Sequence, residues 1–181
     1  WLEEMLQLCQ QKDVGMAGAK LYYPDDTIQH AGVVVGLGGV AAHVLCKLPR
    51  DAEGYMGRLR CVQEISAVTA ACMMVKTSVF KAVGGFDEEL KVAFNDIDLC
   101  MKVRKYGVKI VFTPYAELYH YESKSRGMED TPEKQLRFSR EVNCFRRKWE
   151  RELLKGDPYY NPNLTLNNTD CSLRKQEKNG D

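Results

Sequence analysis

No stretch of this 181-residue chain approaches the roughly 20 consecutive apolar residues of a bilayer-spanning helix, and no charged-then-apolar leader opens it. A membrane-spanning or signal-led reading therefore finds no support in these residues. Net charge is nearly absent as well. The 26 Lys and Arg against 25 Asp and Glu leave +1, so no whole-chain field draws in nucleic acid, and any electrostatic partner must act locally. Cysteine-pairing signals are missing too. Cys9, Cys46, Cys61, Cys72, Cys100, Cys144 and Cys171 are odd in number, with no C-x-x-C pair and no zinc-ligand spacing. They read as reduced, mostly buried thiols of a cytoplasmic protein. No internal repeat is visible, and the length suits one compact unit.

Trp1, Leu2, Met5, Leu6 and Cys9 recur at helical spacing, so the chain opens inside an amphipathic helix, and a parent sequence continuing upstream of Trp1 is expected. Val14 to Tyr23 reads as a strand, Pro24-Asp25-Asp26 as a turn and Gly32 to Leu37 as a second strand. From Gly38 to Arg60 glycines and mixed charge without periodicity predict a long mobile surface loop. Val62 to Val75, rich in small and β-branched residues, predicts buried extended chain, followed by a short helix from Ser78 to Gly84-Gly85. Asn95 suits a helix N-cap and Gly107 the C′ position of the same helix. Lys109 to Thr113 and Ala116 to Tyr121 read as two strands around a turn at Pro114. Pro132 opens a long helix to about Lys155 with an apolar stripe of Phe138, Val142, Phe145, Trp149 and Leu153. After Leu166 the polar tail reads as disordered. The expected divisions are thus 1–130, 131–166 and 167–181.

Two acids near the start of the Asn95 helix carry the most chemistry. At about 100° per residue, Asp96 shares a side with Leu99, Cys100 and Val103, whereas Asp98 falls on the far side, where Lys102 can pair with it at i+4. An inward acid at a helix N-terminus is desolvated yet favoured as an anion by the backbone N–H groups there. That setting suits a general base for a hydroxyl proton, and equally a cap or the partner of a buried cation.

The run Gly85-Phe86-Asp87-Glu88, then Phe94-Asn95-Asp96-Ile97-Asp98-Leu99, then Arg104 and Gly107, resembles the acidic motif of family 2 glycosyltransferases of the GT-A fold, which reads Phe-Asp-Glu, a spacer, Glu-Asp-x-Asp-Leu, a basic residue and Gly. Asn95 stands where the family often has Glu, which bears on acceptor contacts. The resemblance implies that Asp96 is the catalytic base, with Asn95 and Asp98 on the substrate side. Thr69 to Met74 is similar to the family's small-residue strand at the sugar site, placing Ala71 and Cys72 against the donor sugar; plain core is the alternative. Gln29-His30-Ala31-Gly32 resembles a segment bordering the active site of bacterial polysaccharide and rhamnosyl-type transferases, which makes His30 a substrate-site residue; read by itself it is a satisfied surface histidine. His120-Tyr121-Glu122-Ser123-Lys124-Ser125-Arg126-Gly127 resembles a loop in which the histidine approaches the metal-diphosphate while serine and arginine hold phosphate oxygens, here Ser125 and Arg126. Asp157 to Leu164 is similar to a closing segment of bacterial members.

The fold implied is α/β: the C-terminal part of a GT-A fold, a mixed sheet flanked by helices, without the N-terminal βαβ nucleotide-binding half. The implied activity is inverting transfer of a sugar from a nucleoside-diphosphate donor to a glycan or lipid-linked acceptor in bacterial surface polysaccharide synthesis. It would use a divalent cation, Mg²⁺ or Mn²⁺, whose main ligands lie in the upstream half, and the isolated chain would be inactive. A glycan- or partner-binding module on the same scaffold is the alternative, and a metal-dependent hydrolase using Asp96, Asp98 and His120 a third. The basic excess on the Pro132 helix suits a solvated face or, alternatively, peripheral contact with anionic lipid at the inner face of the plasma membrane. An unpaired sheet edge would favour self-association.

Overall fold

The computed structural model describes residues 1–121 and 131–175. Ser125 and Arg126 lie outside them. Helix α1 (Leu2–Cys9) leads into β1 (Val14–Tyr22), the central strand. One edge of β1 pairs in parallel with β7 (Lys109–Tyr119), and its other edge takes two short antiparallel strands in succession, β6 (Met73–Val75) and β2 (Ile28–His30). With β5 (Gln63–Glu64) antiparallel on the far edge of β7, this makes a mixed five-stranded sheet. A separate ribbon pairs β3 (Val33–Val35) with β4 (Ala41–His43).

Alternation along β1 sorts the core into two layers. Ala17, Ala19 and Leu21 meet Met5, Leu8 and Cys9 of α1 on one face. Met16 and Tyr22 face the larger core, built with α3 (Asn95–Tyr106) and α4 (Pro132–Lys148). Gly18 is required by close approach: a Cβ there would stand 2.2 Å from Val68 Cγ1. Helices therefore flank a mixed sheet, as the sequence implies for the C-terminal part of a GT-A fold.

Several segments depart from expectation. The stretch Gly38 to Arg60 is structured: a 3-10 turn at Leu37–Gly39, then β4, then a second 3-10 turn at Tyr55–Gly57, with Val40, Val44, Leu45 and Leu59 buried. Its apolar residues escape a periodic reading because left-handed backbone at Leu45, Lys47 and Met56 interrupts any regular repeat. In the Val62 to Val75 stretch only β5 and β6 are strand, and Ala70–Ala71 is an exposed turn. Pro114 does not end β7; it lies in a bulge where Ala19↔Thr113 is followed by Lys20↔Glu117. The long helix breaks at Trp149, where φ is −115° and ψ 23°, and resumes as α5 (Glu150–Lys155).

The polar tail, read as disordered, folds back over 167–175. Leu45 N donates to Thr169 O at 2.6 Å, Thr165 N to Ser172 O, and Arg174 N to Asn163 O, and Cys171 is buried. All seven cysteines are free thiols; Cys9, Cys100 and Cys171 are buried, Cys61 is exposed and the rest lie between. No helix among the described residues is long and apolar enough to cross a membrane.

Candidate active site

The parallel strands β1 and β7 run the same way, so their carboxyl ends share one side of the sheet, where ligands of open α/β sheets bind. His120 follows β7 there, its N–H donating to Tyr22 O at 3.0 Å. The sequence elements singled out above converge on two neighbouring residues of β2. Successive strand residues point to opposite faces, so Gln29 and His30 reach different loops.

Gln29 holds His120 twice. Its Oε1 lies 2.7 Å from His120 Nδ1 and its Nε2 donates to His120 O at 3.3 Å. An amide oxygen can only accept, so Nδ1 carries a proton, and in the neutral ring Nε2 keeps the lone pair. This is the tautomer a metal-binding or proton-accepting imidazole needs.

His30 is fully buried, not a surface histidine. Its Nε2 accepts from Thr69 N at 3.4 Å and its Nδ1 lies 3.0 Å from His43 Nδ1. Acceptance at Nε2 places the His30 proton on Nδ1, donated to His43. Burial first, and the neighbouring His43 second, push the His30 pKa well below the usual histidine range. His30 is thus a neutral strut under the Thr69 loop, and its route to a substrate is indirect.

That loop meets Asp96. Ala70 N donates to Asp96 Oδ2 at 3.0 Å, and Ile97 N to Oδ1 at 2.9 Å. Each oxygen keeps a further lone pair, so the carboxylate is oriented but not used up. Asp96 is half-buried, and beside it Ala70 and Ala71 are exposed with nothing larger than a methyl on either side chain. Asn95 is half-buried in the same turn. Cys72 contributes less: its thiol packs on Met5 Sδ of α1 at 3.9 Å, and burial raises its pKa.

Asp98 is the clearest correction. The helical wheel puts it on the side away from the first core, and α4 covers that side, leaving it 0% exposed. Oδ1 accepts from Trp149 Nε1 at 2.8 Å and lies 2.7 Å from Lys148 Nζ. Lys102 Nζ is 3.1 Å from Oδ2, the anticipated i+4 pair, but too oblique for a hydrogen bond; it donates instead to Gly85 O. Asp98 therefore ties α3 to α4 and offers no surface to a substrate. Lys148 also bonds Asp87 at 2.5 Å. Burial works against the Lys148 ammonium, yet its bonds to Asp87 and Asp98 outweigh it and hold its pKa above the usual lysine range.

Sequence reasoning missed what fixes the entry to α3. Glu141, an acid on the otherwise basic α4, is only 3% exposed. It accepts from Val92 N at 3.1 Å and Ala93 N at 2.9 Å. Phe94, not Asn95, is the N-cap, and it sits in left-handed backbone at φ 62°. For a bulky residue this costs roughly 1–3 kcal/mol. The ring is held against Phe138 and Phe145 at centroid distances of 5.8 and 5.4 Å. The signal was present: Glu141 falls between Phe138 and Phe145 at the i+3, i+4 spacing of the buried stripe.

Among the described residues no three His, Cys, Asp or Glu side chains cluster to hold a metal ion. His120 Nε2 suits a single ligand position, and further ligands would have to come from outside this set.

Comparison with known proteins bears on this arrangement. The family model described as "Glycosyltransferase like family 2" matches residues 1–141. An uncharacterized protein, y4gI, of Sinorhizobium fredii (strain NBRC 101917 / NGR234) is 58% identical over 174 residues, 96% of this chain and 19% of its own length. The O-antigen biosynthesis protein RfbC of Myxococcus xanthus is 38% identical over 182 residues, covering 100% of this chain and 14% of itself. An N-acetylglucosaminyl-diphospho-decaprenol L-rhamnosyltransferase of Mycobacterium tuberculosis (strain CDC 1551 / Oshkosh) is 36% identical over 62 residues, 34% of this chain and 20% of that protein. The chain thus spans a fifth or less of the length of these relatives. With the family model matched across residues 1–141 and the mixed sheet in place, the chain belongs to glycosyltransferase-like family 2.

Proposed function

We propose that this chain supplies the acceptor side of an inverting glycosyltransferase acting in bacterial surface polysaccharide synthesis, with Asp96 as general base. The observation that carries the reading is the Asp96 carboxylate, fixed by Ala70 N–H and Ile97 N–H beside the exposed Ala70-Ala71 turn. Small side chains there leave room for a pyranose ring against the backbone. Asp96 takes the proton of an acceptor hydroxyl as its oxygen bonds to the anomeric carbon, and the bond to the nucleoside diphosphate breaks on the opposite face. A divalent cation, when bound, neutralises charge on the departing diphosphate. This chain would offer it His120 Nε2, held in the required tautomer by Gln29. Ser125 and Arg126 are proposed as phosphate contacts and Asn95 as an acceptor contact.

The names of RfbC and of the rhamnosyltransferase support a glycan or polyprenyl-linked acceptor, and the family match supports a nucleotide-sugar donor. Under this reading an N-terminal nucleotide-binding part is needed for turnover, and the 181-residue stretch alone binds donor weakly. The test is release of nucleoside diphosphate from a panel of nucleotide sugars by the full-length protein with Mn²⁺ or Mg²⁺ and lipid-linked acceptors. Acceptor-dependent release supports the reading. Glycan binding without turnover of any donor would favour a binding module instead.

A further inference from the structure

Lys20 is 4% exposed, on β1, and lines a cavity of about 410 Å³ whose walls include Arg50, Asp51, Arg60, Tyr115 and Glu117. An ammonium has three donors. Its one hydrogen bond among the described residues runs to Arg50 O at 3.5 Å, the outer limit of such a bond. No carboxylate of the described residues lies within 4.0 Å of Lys20 Nζ, and the Tyr22 ring centroid is 5.4 Å away.

The acid nearest to hand is committed elsewhere. Glu117 takes Arg50 Nη2 on Oε2 at 2.7 Å and the Tyr22 hydroxyl on Oε1. Arg60 pairs at 3.3 Å with Glu53, and both side chains are well exposed. Burial chiefly, then Arg50 and Arg60 against the opposing pull of Glu117, depress the Lys20 pKa. A buried, under-paired ammonium is costly unless something supplies the missing charge.

We propose that this cavity is an oxyanion site in which Lys20 binds the phosphate or carboxylate group of a sugar-sized ligand. A compact ammonium suits either group as a point charge. The volume falls in the range of small-molecule pockets and well exceeds one phosphate, so the anion belongs to a larger molecule. Arg60, at the rim, adds a second cation. The site uses none of the residues assigned to proton abstraction and does not rest on the Asp96 reading.

The test follows the Lys20 ¹³Cε signal and calorimetric binding in the full-length protein with glucose 1-phosphate, glucuronate and inorganic phosphate as probes. At least one probe should bind saturably and move the Lys20 signal. Lys20→Met should weaken that binding about tenfold or more, Lys20→Arg should retain most of it, and Asp96→Asn should leave it unchanged. A response to the two phosphates alone assigns a phosphoryl ligand, and a response to glucuronate alone assigns a carboxylate. No saturable response to any probe overturns the proposal, as does binding undiminished in Lys20→Met. Should Lys20→Met fail to fold, an unmoved Lys20 signal in the unmodified protein overturns it equally.

Discussion

Asp96 and Asp98 lie two residues apart in the first turn of α3, yet Asp96 reaches the exposed Ala70 turn while Asp98 is enclosed by Trp149, Lys148 and Lys102 of the packed interior. One acid is oriented with lone pairs to spare, and the other is consumed in joining two helices. Substitutions at the two positions should therefore separate chemistry from folding.

Asp98→Asn leaves Lys102 and Lys148 without their shared anion. Removing one partner of a buried pair costs about 3–5 kcal/mol. Lys148 keeps a third of its side chain in water, so a loss on the order of 2–3 kcal/mol is expected. Urea unfolding should show the loss. Unchanged stability would show that Asp98 is not the tie between α3 and α4.

Glu141→Ala strands the N–H groups of Val92 and Ala93, at about 1–3 kcal/mol, and releases the strained Phe94 entry to α3. Glu141→Gln keeps one acceptor and should recover part of that loss. Hydrogen exchange at Val92 and Ala93 reads the effect locally: it should quicken in Glu141→Ala, and equal protection in both proteins would remove the proposed clamp.

Gln29→Leu removes the acceptor that fixes the His120 tautomer. Nitrogen chemical shifts of the His120 ring should move from a defined Nδ1–H form toward a mixture. Loss of such a supporting contact typically costs 10–100-fold in metal affinity or activity, and a decrease in that range is expected. A ring spectrum unaltered by Gln29→Leu would assign the tautomer to some other contact.

His30 makes stability depend on pH. Its pKa in the folded protein is depressed below the ordinary 6.5, so below about pH 6.5 the unfolded chain takes up a proton that the folded one refuses. The stabilising contribution is present above that value and is lost as pH falls toward the folded-state pKa. Stability should therefore fall as pH is lowered from 7.5 to 5.5. Thermal unfolding of His30→Gln should lack this limb. A slope shared equally by both proteins would place the titrating group elsewhere.

Much of this arrangement was legible in the sequence. The Asp96 helix, its Gly107 terminus and the strands Val14 and Lys109 onward follow from periodicity and turn chemistry, because each is decided locally. Asp98 was set on the side away from Leu99 with Lys102 at i+4, as found, but the burial of that side was not legible, because a helical wheel knows one core, whereas α3 packs between the sheet on one side and α4 on the other. Glu141 and Phe94 were missed for the same reason: an acid on a buried stripe and a left-handed phenylalanine make sense only once Val92, Ala93, Phe138 and Phe145 are beside them. The fold of 38–60 was hidden by positive φ at Leu45, Lys47 and Met56, positions where no glycine advertises the turn. Gln29 carries no chemical signature of its own. Its part is visible only through His120, ninety-one positions away.

The most direct test is the turnover of Asp96→Asn in the full-length protein, measured with donor and acceptor saturating and alongside its unfolding midpoint. Loss of a positioned base should lower turnover by about 10²–10⁴, while the midpoint and nucleotide binding stay near those of the unmodified protein, because Asn Oδ1 can still accept one of the two backbone N–H bonds. Turnover close to that of the unmodified protein, with Asp98→Asn the more damaging change per folded molecule, would contradict the assignment of Asp96 as the base.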